Sequence, residues 1–397
     1  VALILESVTE ASIEGQHESA TPEPADEPAD APNITAHVRP VVMLLGSDEF
    51  TPELAIALRR LGAEVIEQPT GTDDLSALVG RLKPDFLVSV ADLAGLEGLD
   101  GRTELVPSAR SIGLTSDRER LRRLAADELG LPTAPFWFAG SIDELEAVAA
   151  HAGYPLLVKP VAGPLGPGQS LVRGPEDIAA AWQHAVGHDK AHHRVLAEAV
   201  VEVEVLVTLL AVRSEGPNGP AIEFCSPIGH VDVHAEVTES WQPQKVSTAA
   251  MDAAKSVAAR IVKALGGRGV FGVELMINGD EVYFADITAY PRQSVWVTLC
   301  SQRLSAFDLQ ARVILGLPVD TMMISPGACH VLDARSADLT SAALTAALGV
   351  PESDVRVFGQ RDGRPPGVTL ATGADLATAR ERARESASRL NMRDSRG

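Results

Sequence analysis

The chain has 397 residues, 45% hydrophobic and 22% charged, which is enough apolar material for a large core and, at roughly 150 residues per domain, for two or three domains. Net charge is −20, and the first 38 residues hold eight acids and no Lys or Arg, so the remainder carries 46 acids against 34 basic residues, a balance of −12. An acidic body argues against a nucleic-acid partner, which needs clustered Lys and Arg, and every apolar run is broken short of the roughly 20 residues that a membrane span requires.

Residues 1–36 include "ESATPEPADEPADAP", Pro, Ala and acid with almost no bulky apolar side chains. Such a segment cannot bury enough surface to offset chain entropy, which predicts a disordered acidic tail. The opening "VALILESVTEASIEG" lacks the positive flank of a secretory signal, so the expected location is cytoplasmic. Cys225, Cys300 and Cys329 follow no metal or disulfide spacing and read as reduced thiols.

Residues 37–120 read as a Rossmann-like domain. The strand Val41–Leu45 runs into Gly46-Ser47, and "TPELAIALRRLG" follows with Leu54, Ala57, Leu58 and Leu61 on one helical face. "AEVIEQP" and "PDFLVSVADL" are the next strands, with the helix "TDDLSALVGRL" between them. This alternation implies a parallel sheet with right-handed crossovers, and a ligand site at the strand ends, here at "GSDEF". The glycines do not form GxGxxG, so no dinucleotide site is expected.

Residues 121–320 read as a second α/β domain. "SDRERLRRLAADELG" is a helix capped by Ser116 or Asp117, and a short strand, a helix and the strand ending at "LLVKP" follow. A Gly-rich loop then runs to Gln169, with Gly163, Gly166 and Gly168 able to approach phosphates and with Pro164 and Pro167 inside it. "RVLAEAVV", "VEVLVTLLAVRS" and "AIEFCSPIGHV" read as strands of one antiparallel sheet. "STAAMDAAKSVAARIVKALG" is a long amphipathic helix ending at Gly266-Gly267, and "GVFGVELMINGDEVYFADITAY" is a hairpin turning at Gly279-Asp280. "SAFDLQARVILGLPV" is a further helix, and residues 321–397 read as a small β-rich closing domain.

Four features carry chemistry. Lys159 ends a strand before the Gly-rich loop, Glu198 ends another, and Glu274 and Asp286 oppose each other across the hairpin. Taken singly, they fit a surface charge, a local pair and a solvent-exposed pair of acids. Taken together, opposed carboxylates able to hold a divalent cation, a Lys and backbone amides are the physics of ATP activation.

In this order, these features resemble the ATP-grasp superfamily of carboxylate–amine ligases. Within it, "VMLLGSDE", "RERLRRLAADELGLPT", "YPLLVKPV", "ESWQPQ", "ALGGRGVFGVEL", "GDEVYF" and "GVTLATG" resemble the formate-dependent phosphoribosylglycinamide formyltransferases. The resemblance spans about residues 41–372. It implies an α/β, ATP-grasp fold with a Rossmann-like N-terminal domain and a small β-rich C-terminal domain, and an enzyme of purine synthesis using ATP and Mg2+. It also implies small-molecule carboxylate and amine substrates and a homodimer.

By resemblance, Arg118, Lys159, Gly166, Gly168 and Gln169 meet ATP phosphates, and Glu198 and Val201 read the adenine edge. Glu274 and Asp286 hold magnesium, Glu49 and Phe50 touch the amine substrate, and Arg364 holds its phosphate. The chain also departs from the family. Pro164, Leu165 and Pro167 replace two Ser and a Lys of the lid loop, and Leu206 replaces a ribose-binding Glu, with Glu204 expected on the same strand face as a substitute. Asp286 replaces a Glu and shortens that arm by about 1.5 Å, one carbon–carbon bond. Tyr290 stands where the family has a catalytic Arg, with Arg292 near it, and Gln293, Val90 (or Asp92, if the local register shifts), Gln360 and Pro365 stand at substrate-binding positions. These departures support an alternative, a non-catalytic nucleotide-binding protein on the same scaffold.

Overall fold

The computed structural model describes residues 39–46, 49–69, 74–89, 96–99, 101–161, 168–188, 193–216, 219–233, 236–290, 292–333, 337, 339–358 and 366–390. The acidic tail expected over residues 1–36, most of the lid loop with Gly163, Pro164, Leu165, Gly166 and Pro167, and Val90, Asp92, Gln360, Arg364 and Pro365 lie outside these residues.

The first elements are β1 (Val41–Leu45), α1 (Thr51–Arg60), β2 (Glu64–Gln68), α2 (Leu75–Leu82), β3 (Phe86–Ser89) and β4 (Glu104–Leu105). They build a parallel sheet in the order β2-β1-β3-β4, as the alternation implies. In β1, Val42, Met43, Leu44 and Leu45 are all buried, because a central parallel strand is covered on both faces. α3 (Ala109–Thr115) follows, then α4 (Arg118–Arg123), whose first turn is capped by the Asp117 carboxylate accepting from the Arg120 amide at 3.0 Å.

A second sheet, β5-β8-β6-β7, is antiparallel and contains β5 (Phe136–Ala139), β6 (Leu156–Pro160), β7 (Ser170–Val172) and β8 (Val195–Ala199). Helices α5 (Ile142–Ala152) and α6 (Ile178–His188) pack on it around Leu145, Ala149, Ile178, Ala181 and Ala185. Here the structure corrects one expectation. β8, carrying "RVLAEAVV", belongs to this sheet, whereas β9 (Val205–Gly216), β10 (Gly219–Phe224) and β11 (Ile228–Val233) belong to a third. The break falls at residues 200–204, where Val200 and Val203 are exposed. Alternation along a strand reports which face is buried and not which sheet the strand joins.

The third sheet has nine strands. It continues with β12 (Glu236–Gln242), helix α7 (Thr248–Leu265), β13 (Gly269–Asn278) and β14 (Glu281–Thr288), then α8 (Thr298–Ser301), α9 (Ala306–Ile314), β15 (Gly327–Val331), α10 (Ser341–Leu348), β16 (Ser353–Val357), β17 (Gly367–Thr372) and α11 (Leu376–Arg389). Its order is β14-β13-β9-β11-β12-β15-β17-β16, with β10 beside β9, so the C-terminal strands extend the sheet that carries the hairpin. "ESWQPQ" is the joint between them. Buried Glu239 on β12 accepts from Arg380 at 2.8 and 3.1 Å and from Arg384 at 2.6 Å, both on α11, and the Arg380 guanidinium lies 3.9 Å from the Trp241 ring centre. Among the described residues, no helix is long and apolar enough to cross a membrane.

Candidate active site

β9, β11, β13 and β14 present one row of side chains on a shared face. Thr208 pairs with Ile228 on one side and Glu274 on the other, and Glu274 pairs with Asp286. The two acids singled out from the sequence are therefore brought together. The register then shifts, since Leu275 opposes Phe284 and Ala285 is the extra residue of a β-bulge. Such a bulge re-aims the strand beyond it, and it brings both Tyr283 and Asp286 opposite residues of the same β13 face, Met276 and Glu274.

Glu274 is held by its neighbours. The Thr208 hydroxyl lies 3.0 and 3.1 Å from its two carboxylate oxygens and 2.9 Å from the Ser294 hydroxyl. His230 Nε2 is 3.1 Å from Glu274 Oε2, and His230 Nδ1 is 2.6 Å from Asp232 Oδ1. Burial disfavours charge on this imidazole, but the hydrogen bonds to Asp232 and Glu274 outweigh it and push the pKa up to about 10. His230 is thus an imidazolium that donates from both nitrogens. Sequence reasoning missed it, although a His two residues before an Asp on one strand puts both on one face.

Asp286 accepts from the Ile287 amide at 2.8 Å and lies 4.0 Å from Arg118 Nε. Burial raises its pKa and wins over the opposing influence of Arg118, Lys159 and Arg122. A carboxylate in that position gains from a further cation. Two oxygen-donor acids suit magnesium, which is commonly held by one or two carboxylates plus substrate phosphates. Among the described residues, no group of three or more His, Cys, Asp or Glu side chains forms a protein-only metal cage.

The opposing wall is the sheet of β5–β8. Glu198 on β8 pairs with Leu157 and Phe136, which places it on one face with Lys159 two residues along β6. Its buried carboxylate forms short ion pairs with Lys159 and Arg122. Burial alone would raise its pKa, but Lys159 and Arg122 outweigh burial and hold it below the ordinary 4.5. Arg118 reaches the same place from α4, donating its Nη1 to the Pro160 carbonyl at 3.0 Å, while its amide donates to the Val161 carbonyl at 2.8 Å. Arg122 was missed by sequence reasoning. Its signal was the i, i+4 spacing from Arg118, which shares a helix face with it.

The remaining expected residues are spread around this core. Gly168 is buried with φ +79°, and Gln169 is half-buried just before β7. Val201 is half-buried in the link between the sheets. Glu204 precedes β9, and its carboxylate accepts from the Gly279 amide in the hairpin turn at 3.1 Å. Leu206 is paired with His230 and Met276. The Phe50 ring is buried and stacked on Trp296 at 5.0 Å, and Trp296 in turn stacks on Phe358 at 4.6 Å, which gathers residues 49–50, the segment after Arg292 and the C-terminal segment. Arg292 lies over the Tyr290 ring, 5.5 Å from its centre, with Nη2 3.4 Å from the hydroxyl.

The site thus combines a pair of opposed acids and a buried Lys–Glu–Arg cluster. Comparison with known proteins agrees with this reading. Residues 124–307 match the model of the ATP-grasp domain. The chain is 43% identical over 379 residues to the formate-dependent phosphoribosylglycinamide formyltransferase of Paraburkholderia xenovorans (strain LB400), covering 87% of this chain and 94% of that protein. It is 42% identical over 383 residues to the protein of the same name from Corynebacterium glutamicum (strain R), covering 88% and 94%. A solved structure described as glycinamide-RNase-transformylase T from Mycobacterium tuberculosis is 59% identical, with a TM-score of 0.76, covering 88% of this chain and 100% of that one.

Proposed function

Since the chain belongs to the formate-dependent phosphoribosylglycinamide formyltransferases of the ATP-grasp superfamily, we propose that this ATP-grasp enzyme joins formate to the amine of glycinamide ribonucleotide at the expense of ATP. The observation that carries the reading is the pairing of Glu274 with Asp286 across from the Lys159–Glu198 cluster. The names of these relatives give no support to the non-catalytic alternative.

In the proposed reaction, a formate oxygen attacks the γ-phosphorus, the bond to the β-phosphate oxygen breaks and ADP leaves. The amine nitrogen then attacks the formyl carbon, phosphate leaves with one formate oxygen, and the amine loses a proton. Arg118 and Lys159 offset charge on the phosphates, together with backbone at Gly166, Gly168 and Gln169. Glu198 and Val201 face the adenine. Lys159 is paired with Glu198 here, so its ammonium shifts toward phosphate when nucleotide enters. Glu274 and Asp286 hold magnesium, which screens the phosphate charge.

Arg292, backed by Tyr290, takes the place of the family's Arg beside the transferring group. Glu49 and the backbone of Phe50 contact the amine substrate, because the Phe50 ring is packed away against Trp296, and Arg364 binds its phosphate. Glu204, engaged at Gly279, reaches ribose only by leaving that turn. We read residues 37–120, 121–320 and 321–397 as the Rossmann-like, ATP-grasp and closing domains, and the enzyme as a cytoplasmic homodimer with no nucleic-acid partner. The test is coupled ADP release with ATP, Mg2+, formate and glycinamide ribonucleotide. Turnover that requires all four and is lost in Lys159→Met supports the reading, and no ADP release overturns it.

A further inference from the structure

Arg122 is a buried cation with five separate attachments. Its guanidinium pairs with Glu198 on β8, and it donates to the Phe284 carbonyl at 3.2 Å and to the Ala285 carbonyl at 2.9 Å on β14. It also lies over the Phe136 and Phe284 rings, at 5.6 and 5.9 Å from their centres. The two carbonyls belong to the bulge immediately before Asp286. A bulge leaves ladder groups unpaired, and a buried unpaired carbonyl is costly, so a donor at this point fixes the bulge geometry. A guanidinium can serve a carboxylate and two carbonyls at once, whereas an ammonium lacks the planar fork. The neighbouring chain is tied the same way, with the Phe284 amide donating to the Pro132 carbonyl at 2.7 Å.

We infer that Arg122 is a positioning residue that sets the aim of Asp286 and fixes Glu198 against it, coupling the metal side of the nucleotide cleft to its adenine side. The inference rests on the proposed nucleotide and metal roles of Glu198 and Asp286. If Arg122 served only to neutralise Glu198, any cation at this position would suffice.

The test is calorimetric titration of ADP with and without Mg2+ into the parent, Arg122→Lys, Glu198→Gln and the double variant Arg122→Gln/Glu198→Gln. Arg122→Lys keeps a charge beside Glu198, so metal-free ADP affinity should change little, while the Mg2+-dependent gain should fall by about tenfold, the usual scale for groups that orient metal ligands. Glu198→Gln should do the reverse, weakening ADP while keeping the Mg2+ gain. The double variant removes both charges of the Arg122–Glu198 pair, leaving only the more exposed Lys159, and decides the matter if Arg122→Lys does not fold, since it should lack the gain that Glu198→Gln keeps. An undiminished Mg2+ gain in Arg122→Lys, or equal gains in the double variant and Glu198→Gln, would overturn the inference while leaving the proposed function standing. A parent that binds no ADP would overturn the proposed function and this inference with it.

Discussion

Changing Glu198 to Gln removes one charge at nearly constant volume and tests the buried cluster directly. The carboxylate has 7% side-chain exposure, Arg122 6% and Lys159 13%, so water screens none of the three well. Without the carboxylate, two cations face each other in a poorly solvated space. Removing one partner of a buried pair costs about 3–5 kcal/mol, against about 0–1 kcal/mol for a surface pair. Lys159 is the most exposed of the three and can turn outward, which favours the lower end, about 3 kcal/mol. For a chain of this size each kcal/mol moves the midpoint by roughly 2 °C, giving a fall of roughly 6 °C. The pH dependence has a definite sign. Glu198 has a folded pKa below its ordinary 4.5, so its contribution is present above pH 4.5 and is lost as pH falls through the folded value. Thermal unfolding followed by circular dichroism should therefore show a constant parent–variant gap from pH 7 down to about 4.5, narrowing below that. A gap under about 1 °C at pH 7, or one that widens in acid, would refute the reasoning.

Two further outcomes follow from the same environments. His230→Gln should narrow stability at neutral pH, and its gap to the parent should close in alkali; with a folded pKa near 10 against an ordinary 6.5, the imidazolium's contribution is complete below pH 6.5 and disappears as pH rises through about 10. Urea midpoints across that range check this. Burial pushes the Cys225 and Cys300 thiols up to about 12 and Cys329 well above its ordinary value, so a thiol reagent at pH 8 should label the native protein slowly and all three sites at once after denaturation.

Local elements were legible where one residue class decides them. The apolar run Val41–Leu45 gave β1 at those bounds, and Gly279, at φ +59°, marked the hairpin that opposes Glu274 and Asp286. Sheet membership was not legible, because β8 and β9 carry the same strand signal and are separated only by a short, mostly exposed link. Strand parity also misled at Glu204, which precedes β9, so that its carboxylate turns to Gly279 instead of following Leu206. The bulge at Ala285 has no Gly or Pro to announce it, and the carbonyls it exposes are answered by Arg122, more than 160 positions away in the chain. "ESWQPQ", read as a family signature, turned out to tie α11 to β12 through Glu239 and Trp241. The paired acids and the Lys159–Glu198 pair were thus visible as candidates in the sequence, whereas the residues that hold them in place required the fold.

The most direct test of the central claim is the fate of the formate oxygens. With doubly 18O-labelled formate, ATP, Mg2+ and glycinamide ribonucleotide, mass spectrometry should find one label in the inorganic phosphate and one in the formylated product. Unlabelled phosphate alongside ADP release would contradict formyl transfer through an acyl phosphate.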